Sequence, residues 1–257
     1  MIYKATDDVR KRLIPMFESL DSTIVQSYLQ GHMGTAYVDD LENPVTAQII
    51  VGIFVFYSGD PETDAAEEVL NNLPDYNLII VDREGWKDRI EAVHRNKFEK
   101  FHRYSLERNP EHLDRAHMEG ILSSLPEGCE LKKVDKDIAE KDSFNELSED
   151  FVSQFESIDD FIARGVGFAV LRNGEVVSAA TSFSIYDEGI EIEIGTDPAY
   201  RRKGLAAVTA AALIIDCLDK GLYPSWDAAN TESLKLAEKL GYRFKEAYDT
   251  YFVDTLK

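Results

Sequence analysis

"IEIEIGTDPAYRRKGLAAVTAAALI", residues 190–214, changes character twice. From Ile190 to Ile194 isoleucine alternates with glutamate, the period of a strand with one apolar and one acidic face. Gly195, Thr196, Asp197 and Pro198 end it. From Leu205 to Lys220 an alanine-rich apolar run predicts a helix. Between strand and helix stand Arg201, Arg202, Lys203 and Gly204. Cations at a helix N-terminus oppose the dipole, which is positive there, unless an anion comes from outside. Exposed backbone N–H groups, a glycine with no side chain in the way and three cations make a cradle for a pyrophosphate. A solvated basic turn is the alternative for so short a motif. The charge balance changes at the same place: residues 128–200 hold 6 basic and 17 acidic residues, residues 201–257 hold 9 and 8.

Other phosphate-binding designs do not fit. There is no GxxxxGK[ST], and no GxGxxG follows a strand. A dinucleotide-binding fold also needs a parallel sheet, whereas the strands before this turn read as an antiparallel meander. Asn173-Gly174 is a strong hairpin signal, and Asp187-Glu188-Gly189 reads as a second turn.

Working outward, residues 134–164 read as mainly helical, "PSWDAA" as a strand, "TESLKLAEKLG" as a helix and "YRFKEAYDTYFVD" as one or two closing strands. Pro126 and Gly128 mark the best boundary, which divides the chain into an N-terminal α/β domain, 1–127, and a second domain, 128–257. Helices, a strand meander, a helix, a strand, a helix and a strand also succeed one another before the boundary. The fold class is therefore α+β with mixed sheets, and the shared order suggests two related units; accidental similarity stays open.

The residues from Ile192 to Ile214 resemble motif A of the GNAT superfamily of N-acetyltransferases, [RQ]-x-x-G-x-[GA], at Arg201, Gly204 and Ala206. "AANTESLKLAEKLGYRF", residues 228–244, resembles that superfamily's following segment, an Asn opening a helix that ends in LG[FY]. The wording "GLYPSWDAAN…LAEKLGY" is most similar to the subfamily that includes zwittermicin A resistance acetyltransferases, an antibiotic-resistance type. The resemblance is strong over residues 165–245 and weaker before them. It implies a GNAT fold for the C-terminal half; the N-terminal α/β unit, if the shared element order is more than accident, is a degenerate GNAT-like repeat. It implies acetyl-CoA as donor, its pyrophosphate on Arg201, Arg202, Lys203, Gly204, Leu205 and Ala206. The pantetheine would run beside Ile194, Gly195 and Thr196 like an added strand and meet Asn230, with Ser233 in the first turn of the helix that Asn230 opens. The N-terminal half has "YSGDPETD" where the cradle should be; acids there repel a pyrophosphate, so no cofactor site is expected in it.

Acetyl transfer to an amine needs a base, a donor to the carbonyl oxygen and a tolerated leaving thiolate. Glu193 and Glu191 share the acidic face of the strand and are the candidate bases, Glu193 standing nearer the Gly195-Thr196 end; a solvated strand face is the alternative. The tyrosine that serves as acid in many GNAT enzymes is replaced by Ala237. Tyr242, Tyr248 and Tyr251 are the substitutes to consider, each with a packing role as the plainer reading. Trp226 and Asp227 would suit a cationic amine, with core packing the alternative for Trp226. The function expected is acetyl transfer to the amine of a small molecule by direct attack on the thioester. The rival is a non-catalytic acyl-CoA-binding or regulatory module, which the Ala237 departure favours.

Composition narrows the class. Of 257 residues 44% are hydrophobic and 30% charged, and the formal net charge is −20, which argues against nucleic acid as partner. No apolar run approaches the roughly 20 residues of a membrane helix, and "MIYKATDDVRKRL" lacks a signal-peptide core. Cys129 and Cys217 make no disulfide framework, so a reducing cytoplasm is the expected location. The five histidines all precede the boundary and form no HxxxH or HExxH pair, so no metal site is expected.

Overall fold

A computed structural model describes residues 1–255 of the chain. The chain divides into two compact units: residues 1–103 with the stretch from 248 onward, and residues 104–247. The division thus differs from the expected 127/128. Residues 104–127 belong to the second unit, and the end of the chain returns to the first. Strand pairing is the reason: Thr250 and Tyr251 lie opposite Ile80 and Ile79.

The first unit opens with β1 (Tyr3–Lys4), α1 (Asp7–Phe17) and α2 (Thr23–Leu29). The meander β2 (Thr35–Val38), β3 (Thr46–Val51), β4 (Phe54–Gly59) follows, then α3 (Asp64–Asn71), β5 (Leu78–Ile80), α4 (Glu84–Val93) and β6 (Phe98–Leu106). β4 and β5 are parallel, and only Phe54, Val55 and Phe56 of β4 face β5. The core packs Val55, Tyr57, Leu70, Ile79, Trp86 and Tyr251.

The second unit runs through α5 (Arg115–Leu122), β7 (Cys129–Lys133), α6 (Lys136–Ala139), α7 (Asp142–Asn145), α8 (Ile158–Arg164), β8 (Gly167–Arg172), β9 (Glu175–Tyr186) and β10 (Gly189–Thr196). Then come α9 (Leu205–Asp219), β11 (Tyr223–Ser225) and α10 (Thr231–Lys239). The last strand is β12 (Phe244–Val253). The sheet order here is β11-β10-β9-β8-β7, and in the other sheet β1-β2-β3-β4-β5-β12-β6.

Local chemistry explains these elements. Asn173 (φ 53°) and Gly174 (φ 85°) both take the left-handed region, so the β8–β9 hairpin closes in two residues. Asp187 and Glu188 close the β9–β10 hairpin, whose register places Tyr186 opposite Gly189. Residues 134–164 do not form long helices: Asp135, Ser148 and Ser157 each accept a backbone amide two or three residues on, so each starts its own short turn. α9 is buried on most of its circumference, Ala207, Ala210 and Ala211 included, and its small side chains let it lie close on the sheet.

Candidate cofactor and acceptor site

The site grows from the way β10 leaves its neighbours. β9 pairs with β10 from Gly189 to Thr196. β11 runs parallel to β10 but matches only Gly189, Ile190 and Glu191. From Ile192 to Thr196, among the described residues, β10 is paired with a strand on its β9 side alone. Two contacts draw the other strand away. The amide of Asp227 donates to the Glu191 carboxylate (2.7 Å) instead of to β10 backbone. Ala228 and Tyr104 then exchange both backbone hydrogen bonds, at 2.9 Å each. Glu191 is thus a wedge: a carboxylate 6% exposed that opens the sheet where strand pairing ends.

At the far end of that opening, α9 begins. Gly204 is its N-cap in the left-handed conformation (φ 82°), and no side chain caps the helix. The first amide of the helix to reach a carbonyl is that of Val208, bonded to Gly204. A Cβ on Gly204 would meet nothing within 4 Å, so the mouth is open. Arg201, Arg202 and Lys203 are exposed. The Arg201 Nε donates to the Thr196 carbonyl (3.3 Å), and the Lys203 ammonium donates to the Ala199 carbonyl (3.1 Å) while lying over the Tyr200 ring. Leu205 is buried and anchors the first turn; Ala206 is half-buried. Uncapped amides, open space and cations beside them fit an anionic phosphate group.

The equivalent place in the first unit does not. There β4 ends at Gly59 and the capped start of α3 follows: the Thr63 hydroxyl accepts the Ala66 amide (3.2 Å) and the Asp60 carboxylate accepts the Glu62 amide (2.9 Å). The β4 residues that lack a β5 partner are met by Trp86 of α4. Its ring stacks on Tyr57 at 5.1 Å, and its indole N–H donates to the Gly59 carbonyl (3.2 Å).

Along β10, Ile194, Gly195 and Thr196 are half-buried. A Cβ on Gly195 would lie 3.0 Å from the Leu147 carbonyl, so glycine lets that segment approach the strand. Thr196 shares a hydrogen bond with Ser178 (2.8 Å). Glu193 accepts the Ser148 hydroxyl (3.0 Å), a partner that no sequence motif marks. Asn230 caps α10 by accepting the Ser233 amide (2.9 Å), and the Ser233 hydroxyl accepts the Trp226 indole N–H (3.0 Å).

Trp226 was expected to face an amine, but it is 6% exposed, with its ring edge-on to Tyr242. It packs the core and fixes the first turn of α10. Asp227 stays half-exposed beside Glu191. Tyr242 is buried and donates to the Pro224 carbonyl, and burial pushes its phenol far above the usual range, so it is no proton donor to a thiolate. Tyr251 belongs to the first unit and donates to Glu91 (2.9 Å). Ala237 is buried. Cys217 is buried as well, its thiol pushed up by burial to about 12, which makes it inert at neutral pH. Among the described residues no group of three or more His, Cys, Asp or Glu is placed to hold a metal ion, and no helix is long and apolar enough to cross a membrane.

An antiparallel meander, a strand pair that splays, and a glycine-opened helix at the end of the splay make up a mixed α/β fold. The GNAT acetyltransferase family model matches residues 14–251, and the chain belongs to that family. An uncharacterized N-acetyltransferase of Bacillus subtilis (strain 168), YdfB, is 37% identical over 131 residues. That match covers 50% of this chain and 49% of the relative, so only about half of each is compared. A GCN5-related N-acetyltransferase-like protein from Streptococcus suis 89/1591 is 36% identical, with a TM-score of 0.87 over 95% of this chain and 98% of that one. A tandem GNAT protein from the clavulanic acid biosynthesis pathway, solved without AcCoA, shares the fold at 8% identity and a TM-score of 0.56, covering 100% of this chain and 99% of its own.

Proposed function

We propose that this protein is an acetyl-CoA-dependent N-acetyltransferase acting on the amine of a small molecule. The observation that carries the proposal is the uncapped, glycine-opened start of α9 at the end of the splayed edge of β10. Residues 201–206 would hold the pyrophosphate, and the edge from Ile192 to Thr196, with Asn230 opposite, would hold the pantetheine arm. Bound acetyl-CoA supplies the thioester carbonyl that an amine attacks directly.

The chain's own residues then have three tasks. Glu193, fixed by the Ser148 hydroxyl, stands where it can hold an ammonium and take its proton, directly or through water. Glu191 and Asp227 add negative charge beside it and favour a cationic acceptor. A β10 amide beyond Glu191 would stabilise charge on the carbonyl oxygen. The buried phenols of Tyr242 and Tyr251 are engaged elsewhere and do not replace the residue at Ala237, which leaves half-buried Tyr248 as the tyrosine still to be tested as a donor to the thiolate. The first unit carries no cofactor site in this reading, because Thr63, Asp60 and Trp86 hold the corresponding positions. Resemblance in "GLYPSWDAAN" supports placement near the zwittermicin A resistance-type acetyltransferases, two free thiols fit a cytoplasmic protein, and a net charge of −20 argues against nucleic-acid partners.

The second reading, a non-catalytic acyl-CoA-binding module, is favoured by buried Ala237 and by the buried phenol of Tyr242. A panel of primary amines with acetyl-CoA, read by free-thiol release and by mass of the acetylated product, separates the two. Amine-dependent thiol release is expected; tight acetyl-CoA binding with no acetylated amine would establish the module instead.

A further inference from the structure

A short 3-10 turn, Glu149–Phe151, is fastened at both ends to one cross-strand pair of the sheet. Thr181 of β9 lies directly opposite Glu193 of β10. At one end of the turn the fully buried Thr181 hydroxyl donates to the Phe151 carbonyl (3.2 Å). Phe151 is itself buried, its ring 4.8 Å from that of Phe144. At the other end the Ser148 hydroxyl donates to Glu193 Oε1 (3.0 Å). The direction of that bond is fixed. An amide N–H can only donate, so the Ser148 oxygen accepts the Asp150 amide (3.2 Å), and its single proton goes to the carboxylate. Amide, hydroxyl and carboxylate form a chain in which each bond polarises the next. Glu193 itself is half-exposed, on the stretch of β10 that β11 does not match.

Its surroundings oppose its charge. Glu191 stands two residues away on the same face of β10, Asp227 bonds to Glu191 through its amide, and the turn adds Glu149 and Asp150. The Asp150 carboxylate accepts the Gln154 amide group (3.3 Å), and burial raises its pKa. The phenols on the flanking strands, Tyr186 of β9 and Tyr223 of β11, are both pushed up by burial and stay neutral at pH 7. The acids of α9, Asp216 and Asp219, are paired with Lys133, Lys220 and Arg115. Like charges favour the protonated form of a carboxyl group, whereas a hydroxyl donated to the carboxylate favours the ionised form. A base must be ionised before it can take a proton. We propose that Ser148 is a positioning residue for Glu193, with Thr181 as its anchor through the turn: together they keep the Glu193 carboxylate ionised and aimed while the acceptor's ammonium is deprotonated. The inference rests on the acetyltransferase reading above.

The test has one readout without turnover and one with it. In protein labelled with carbon-13 at its glutamate carboxyls, the Glu193 signal is identified by its loss in Glu193→Gln and titrated with no acceptor present. Ser148→Ala should raise its midpoint by about one pH unit, a tenfold effect on the ionisation equilibrium. Thr181→Val should raise it less, and Ser148→Thr, which keeps the hydroxyl, should leave it near the wild-type value. With a primary amine and saturating acetyl-CoA, the acid limb of kcat/KM should move up by the same amount in Ser148→Ala, and the rate at about pH 6 should fall about tenfold. A serine that only caps the turn would lower Tm in Ser148→Ala and slow the reaction equally at every pH, with the Glu193 midpoint unmoved. That result overturns the assignment while leaving the acetyltransferase reading intact, and so does a midpoint that moves as far in Ser148→Thr as in Ser148→Ala. A midpoint that moves as expected while wild type acetylates no amine overturns the acetyltransferase reading and, with it, the catalytic use of the contact.

Discussion

Replacing Gly204 by aspartate tests the anion cradle. The position has φ 82°, and a Cβ there would meet nothing within 4 Å, so the substitution strains the backbone without a clash. An added side chain in this conformation costs about 1–2 kcal/mol, and aspartate is among the residues that tolerate it best. The larger effect is charge. Two unit charges about 5 Å apart interact by about 0.8 kcal/mol in water and about four times that near a protein surface. Against the two charges of a pyrophosphate the repulsion is at least about 1.7 kcal/mol, or more than tenfold in affinity. Calorimetric titration of acetyl-CoA into Gly204→Asp should therefore show a Kd at least about 15-fold higher. Gly204→Ala isolates the strain: it should fold with a slightly lower Tm and lose only a few-fold in affinity. Raised salt should narrow the gap between Asp and Ala, because the added term is electrostatic. Wild-type affinity in Gly204→Asp would refute the cradle.

Three further outcomes follow from the same geometry. Glu193→Gln should lower kcat/KM by roughly 100-fold or more with acetyl-CoA affinity kept, and Glu191→Gln should do the same while preserving the fold, since the glutamine carbonyl can still accept the Asp227 amide; wild-type rates in both would reduce the pair to a structural role. Trp86→Ala removes a fully buried side chain and should destabilise the first unit by about 3–5 kcal/mol in denaturant unfolding, without changing the number of acetyl-CoA molecules bound per chain. His94 is buried with its Nε2 3.0 Å from the Leu70 carbonyl, and burial lowers its pKa below the usual 6.5. The folded state then binds fewer protons than the unfolded one, so this contribution is complete above that value and is lost as the pH falls below it. Tm measured down to about pH 5 should fall less steeply in His94→Gln than in wild type, and parallel curves would show that His94 plays no part.

Much of the framework around the candidate site was legible because it depends on local chemistry. The isoleucine–glutamate alternation, the Asn173-Gly174 turn and the glycine before an alanine-rich run lie in β10, the β8–β9 hairpin and the start of α9, where the sequence places them. What escaped is non-local. The unit boundary depends on β12 pairing with β5, across most of the chain. Trp226 and Asp227 read as one amine-facing pair, but burial separates them: the indole turns inward to Ser233, and the Asp227 amide meets Glu191. Ser148 and Ser184 carry no motif, and their places beside Glu193 and Glu191 follow from loop packing and strand register. The closed counterpart in the first unit was legible only by half. Its acids are visible in "YSGDPETD", whereas Trp86 reaches Gly59 from another helix.

The most direct test is a crystal structure of the protein grown with CoA. One CoA per chain should appear, with its pyrophosphate on the amides of residues 202–206 and its pantetheine along Ile192–Thr196 of β10. The start of α3, capped by Thr63, should carry none. CoA seated at α3, or anywhere that leaves residues 201–206 bare, would contradict the assignment of the donor site.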